Sequence, residues 1–257
     1  MKRSTDNLIN KIKINKKKLV YNLLGIGFIF VLWLVISNIY QNSLIIPKIS
    51  EVFSALFNLM KTSRFFELLY KMIIRIILTV SVSLIVALIL AMLSFKSNGF
   101  YQFLNPLITI LKTIPIIAII IMLLMSIGFD LAPYVATSFV IIPIIYEMVY
   151  SSLTQIDSTV TDDLKTLTDN NLNVIVRFYV PLIIPSIITS VVQSFGLGLK
   201  VMLMAEYISP RTNTFGAEIN RYYMNNQMDY VFAIIIIVVI LVFICDKILK
   251  LIREKLY

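Results

Sequence analysis

The chain has 257 residues, 59% hydrophobic and only 14% charged, with a mean hydropathy of +0.89 and a net charge of +9. A water-soluble domain of this length needs a polar shell that this composition does not supply. With no histidine and one cysteine, Cys245, the sequence excludes an internal disulfide, a Cys/His metal site and Ser-His-Asp or Cys-His catalysis. No G-x-x-x-x-G-K-[ST] run is present, so the chain does not hydrolyse ATP through a P-loop.

Six apolar segments follow in chain order, at residues 19–40, 76–95, 103–125, 131–153, 178–199 and 230–250. The first, second and fifth are uncharged throughout, and each reaches the roughly 20 residues that cross a bilayer core. Backbone groups in hydrocarbon must bond within their own segment, which makes these spans helices. Runs such as "IIIIVVILVFI" do not alternate as barrel strands do. The expected fold is therefore all-α, a polytopic membrane protein of about six transmembrane helices. A basic tail over 1–18 leads into the first span at 19–40. No small-x-small cleavage site follows that span, so it reads as retained and not as a signal peptide.

Residues 41–71 should carry an amphipathic helix on the outer surface. Pro47 breaks the chain, Ser50 can cap, Glu51 falls in the first turn, and Val52, Leu56, Leu59 and Met60 share a face. The core then runs over 72–250. "KSNGFYQ" is a tight turn in which Gly99 can take positive φ. Pro106 and Pro115 can kink the third span, and "SIGFDLAP" turns the chain into the fourth. A short tail over 251–257 closes it. Placing the first 18 residues and the C-terminal tail in the cytoplasm puts most of the 23 basic residues inside. The net charge thus reads as a topology signal and an attraction to anionic lipid.

Residues 158–178 are polar and interrupt this pattern. Asp157 or Thr159 can cap a helix with Asp162 and Asp163 in its first turn. Val160, Leu164 and Leu167 fall on one side, and Asn170 and Asn171 can close it in a left-handed conformation. The result is a short amphipathic helix near 158–172 on the cytoplasmic side, followed by Pro181 and Pro185. Packing on its own bundle or on headgroups, and docking to another protein, both account for such a helix.

Charges also lie within or near the ends of the spans, at Lys112, Glu147, Lys200 and Glu206. Each costs about 2.5–3.5 kcal/mol at mid-helix on insertion scales, so each should face a cavity or a partner. Lys200 and Glu206 are six residues apart, about 9 Å and 600° of helical rotation, so they point in different directions. Glu206 should bond backbone N–H groups or a basic residue of the following "SPRTNT" loop. Lys200 either faces a water-filled pathway or pairs with Glu147 or Glu206.

The polar segment resembles the cytoplasmic motif of inner-membrane permease subunits of binding-protein-dependent ABC importers: E-A-A, three residues, Gly, nine residues, I-x-L-P. Here Asp162-Asp163-Leu164, Thr168 and Phe178-Tyr179-Val180-Pro181 stand in register. Asp162 and Pro181 keep the acid and the proline, while Asp163 and Thr168 replace Ala and Gly. The likeness extends over roughly 44–250 and is similar to the nitrate/sulfonate/taurine and thiamine-precursor branch. It rests on Pro47 and Val52, on Pro115 and Gly128, on Pro181, Pro185, Ser186, Ile187, Gly196 and Glu206, and on Gly216 and Asp229. Lys200 stands where that branch commonly has Trp.

The resemblance implies a translocation subunit of the bacterial inner membrane and not an enzyme, with no cofactor of its own and ATP-Mg on partner ATPases. Its implied partners are a second permease copy or relative, two cytoplasmic ATPase subunits and an extracellular solute-binding protein. The coupling residues it implies are Asp162, Asp163, Leu164, Leu167, Thr168, Asn170 and Pro181. The alternative is an ion-gradient transporter without an ATPase, using Lys112, Glu147 and Glu206 for coupling. That alternative leaves residues 158–178 unexplained.

Overall fold

A computed structural model describes residues 2–40, 42–156, 179–209 and 213–256. Among the described residues there are eight helices and no strand. They are α1 Lys2–Tyr40, α2 Ile49–Met60, α3 Ser63–Lys96, α4 Asn98–Thr113, α5 Ile116–Thr154, α6 Val180–Ile208, α7 Phe215–Met224 and α8 Met228–Leu256. Five of them hold windows long and apolar enough to cross a membrane, within α1, α3, α5, α6 and α8. The chain is an all-α, multi-pass membrane protein, divided into two compact units.

The first unit comprises residues 1–59 with 222–233. Over Leu23–Tyr40, the candidate span of α1, apolar side chains are exposed nearly all round, as on a helix facing lipid. Trp33 is its anchor: the indole N–H donates to the Pro47 carbonyl at 3.0 Å, and the ring lies 5.7 Å from that of Phe232. The start of α2 is fixed by Glu51, whose carboxylate accepts from Lys48 N and Ser43 Oγ, both at 3.0 Å. This is the reach-back half of a capping box, so Ser50 is not needed as the cap and stands exposed inside the helix. The buried face of α2 is Val52, Ala55 and Leu59, with Leu56 half-buried. Met60, expected on that face, is exposed, because a stripe through 52, 55 and 59 turns position 60 outward.

The second unit comprises residues 60–221 with 234–257. Its buried positions along α3 recur at helical spacing: Phe65, Leu68, Met72, Ile76, Val80, Ser83, Ala87, Ala91 and Ser94. The opposite face exposes Ile77, Val82, Ile85 and Ile89. Lipid is as apolar as these side chains, so helix association here rests on close packing and not on hydrophobic transfer. Small residues permit it. A Cβ on Gly198 of α6 would lie 2.7 Å from Ile141 Cδ1 of α5 and 3.0 Å from Ile76 Cδ1 of α3. Tyr146 adds a polar tie, donating from its hydroxyl to Ser94 Oγ at 3.0 Å, a bond of a kind that averages about 0.6 kcal/mol in membranes.

The third expected span is delivered in two pieces. Ile114 precedes Pro115 and takes extended angles, φ −66° and ψ 132°, which ends α4. The chain resumes as α5 and bends sharply at Gly128, φ 81° and ψ 174°, a region open in practice only to glycine. The two limbs of α5 fold back on each other, since Ile119, Ile120 and Leu123 share one buried cluster with Ala132 and Ala136. The tight turn at 96–102 differs from expectation too. Gly99 lies inside α4, and the only residue between α3 and α4 is Ser97, extended at φ −133°. Its hydroxyl accepts from Phe100 N at 3.3 Å, so the turn needs no positive φ.

Candidate functional site: charges within the spanning helices

Of the residues expected to couple to a partner, Asp162, Asp163, Leu164, Leu167, Thr168 and Asn170 lie outside the described residues. Pro181 is described and stands exposed in the first turn of α6, where its missing N–H leaves no bond unmade.

The four charges expected within or near the ends of the spans fall into three settings. Lys112 closes the last turn of α4, where the helix dipole favours a cation. Its ammonium reaches both carboxylate oxygens of Glu147 on α5 at 2.7 Å. Thirty-five residues separate them along the chain, and the fold-back at Gly128 is what brings them together. Both side chains are about half exposed.

Glu206 is 2% exposed, near the C-terminal end of α6. Its carboxylate accepts from Arg75 Nη1 of α3 at 2.9 Å and from the Gly216 backbone N–H at 3.3 Å. One basic partner is thus on α3, and the backbone donor sits just beyond the "SPRTNT" loop, whose Arg211 lies outside the described residues. The contact with Gly216 leaves no room for a side chain. A Cβ there would lie 2.4 Å from Glu206 Cβ and 2.6 Å from Tyr207 N. Beside Glu206, a cavity of about 10 Å³ is lined by Arg75, Asp130, Ser209 and Thr214 among others. That is space for a single water. Ser209 Oγ is buried there without a hydrogen bond.

A second group of charges adjoins the same end of α6. Glu218 of α7 is nearly buried and is gripped by Arg64 of α3, Nη2 to Oε1 at 2.8 Å, and by Arg221. Arg64 also donates to Asn213 Oδ1 at 3.2 Å. Thr214 caps α7, accepting from Ala217 N at 3.1 Å, and Asn220 donates to the Tyr207 carbonyl at 3.1 Å. Together these contacts tie α7 to α3 and to the end of α6. The pairing of Arg75, Arg64 and Glu218 with their partners was not legible in the sequence. The uncharged window begins at 76, directly after Arg75, and Arg64 falls in the 41–71 segment expected on the outer surface. One local signal was available: Glu218 and Arg221 stand at i and i+3.

Lys200 is set apart. It is exposed and, among the described residues, makes no ion pair; Glu147 and Glu206 are engaged by Lys112 and Arg75. It points away from Glu206, as six residues of helix require. Lys200 borders a cavity of about 420 Å³ whose walls come from α6, α7 and α8.

Comparison with known proteins locates this arrangement. The profile of the family described as binding-protein-dependent transport system inner membrane component matches residues 83–256, more than half of the chain. No curated protein matches the chain. Among solved structures, a chain from inward-facing conformations of the MetNI methionine ABC transporter is similar in fold, with a TM-score of 0.67 and 14% identity. The similarity covers 75% of this chain and 97% of that one. Composition, multi-pass helical architecture and family profile converge: the chain belongs to the binding-protein-dependent transport system inner membrane components, the permease subunits of ABC importers.

Proposed function

We propose that this permease works as a pair, with itself or a relative, in a bacterial inner membrane. Two separate ATPase chains would carry ATP-Mg and grip the 158–178 segment, and an extracellular binding protein would deliver the solute. The observation that carries this reading is the place of the polar segment. It joins two long apolar helices, α5 and α6, that otherwise need only a few residues to connect them. Leu164 and Leu167 are the anchors, buried in a groove of the ATPase, with Asp162, Asp163, Thr168 and Asn170 at the rim. Closing the ATPase pair moves the grooves and drags the helices tied to them, which is rigid-body alternating access. With both tails cytoplasmic, the Arg75–Glu206 pair and the α7 contacts lie toward the outer side, where they hold the mouth of the pathway shut.

The test is the double replacement Leu164→Asp, Leu167→Asp. The variant should insert and fold as the parent does, since the changed residues are cytoplasmic. It should lose the ATPase during affinity purification of the co-expressed complex. Full assembly with normal solute-stimulated ATP hydrolysis would refute the coupling role of this segment.

A further inference from the structure

Among the described residues, Arg64 stands at the start of α3, Lys71 and Arg75 further along it, Lys112 in the last turn of α4 and Lys200 inside α6; the last of these five basic side chains differs from the others. Four of them hold a carboxylate, on Glu67, Glu206, Glu147 and Glu218 respectively for Lys71, Arg75, Lys112 and Arg64. Lys96 and Lys247 lie within two residues of their span ends, where they reach water. Lys200 has neither solution. It lies eight residues, about 12 Å, from the end of α6, it is exposed, and it makes no ion pair among the described residues. A lone ammonium at that depth is costly unless an anion or water meets it.

The cavity beside it states what kind of anion. Its volume of about 420 Å³ lies in the range of small-molecule sites. The wall is apolar, with Leu203, Ile235, Val239 and Phe243 around the lysine. A small hydrophilic ion gains nothing from such a wall, whereas an amphipathic one buries its apolar part there. Asp246 also borders the cavity, but it has a partner of its own and leaves the ammonium unmatched. We propose that this cavity binds an amphipathic anion: Lys200 pairs with a carboxylate, sulfonate or phosphate group, and the α6 and α8 side chains cover a short apolar body. This rests on the permease reading for its meaning, as a station on the solute's path, but not for the binding itself.

The experiment uses the full-length chain in nanodiscs of zwitterionic phosphatidylcholine, probed by ligand-observed NMR and calorimetry with hexanoate, hexanesulfonate, hexanamide and hexylamine. The two anions should bind, and the amide should bind roughly tenfold more weakly or worse, as loss of a charge-assisted bond gives. Lys200→Met should remove that preference with an unchanged thermal midpoint, and Lys200→Arg should restore it. In phosphatidylglycerol nanodiscs, weakened hexanoate binding identifies a lipid phosphate as the natural source of the anion, and unweakened binding identifies a soluble one. Equal binding of hexanoate and hexanamide, or an unchanged preference in Lys200→Met, overturns the proposal. Lys200→Met should also leave co-purification with the ATPase intact. Loss of assembly in the wild type would therefore fall on the permease reading, and loss of anion preference on this one.

Discussion

At the scale of single residues, the strongest constraint is the contact between Gly216 and Glu206. A methyl group at 216 would meet backbone and Cβ atoms at 2.4–2.7 Å, and none of these can rotate away. Gly198 is crowded in a different way, by the terminal methyls of Ile141 and Ile76. Those chains can change rotamer. Gly216→Ala is therefore predicted to cost more than Gly198→Ala, about 3 kcal/mol or more against about 1–2 kcal/mol, as overpacking against rigid and yielding neighbours implies. Thermal unfolding of the two variants in one detergent ranks them, and the reverse order would show that α7 does not press on Glu206.

The Arg75–Glu206 pair yields a second prediction at this scale. Both partners are mostly buried, the Glu206 side chain 3% and the Arg75 side chain 17% exposed. A buried pair is weak evidence for stability, since desolvation offsets much of the attraction, but breaking one side strands the other charge. Arg75→Met should destabilise by roughly 3–5 kcal/mol, and Arg75→Met with Glu206→Gln should recover most of it. A double variant no more stable than the single would mean that the arginine is not the partner that matters to Glu206.

At the scale of elements, the bend in α5 decides which residues meet. Without it Lys112 and Glu147 would be far apart along one axis. Gly128 sits at φ 81° and ψ 174°, which is outside the left-handed helical region where asparagine substitutes for glycine. Gly128→Asn should therefore fail as badly as Gly128→Ala, each costing about 1–3 kcal/mol. Rescue by asparagine, measured as a thermal midpoint close to the parent's, would argue for a different backbone there. Much of this scale was legible. The uncharged windows 19–40 and 76–95 fall within α1 and α3, and the window 178–199 overlaps α6 from residue 180, because hydropathy reads backbone desolvation directly. The ends were not. Arg64 to Arg75 extend α3 since each cation finds an acid that is distant in sequence or one turn away, and no window of hydropathy contains that partner. The Gly99 turn misled for a similar reason: a serine hydroxyl did locally what a glycine would otherwise do.

At the scale of the whole molecule, the family was legible from the spacing of a few proline, glycine and acid positions, and the family profile matches residues 83–256. The partners of the buried charges were not legible, because they join α3 to α6 and α7 across more than a hundred residues. On the proposed function, this chain is one part of an ATP-driven importer and moves no solute alone. Native mass spectrometry of the complex purified through a tag on this chain, expressed with its neighbouring genes, tests it most directly. The account predicts two permease chains with two P-loop ATPase chains, and ATP-dependent solute uptake once the complex is placed in vesicles with a binding protein. A chain recovered alone that moves solute down an ion gradient without ATP would contradict it.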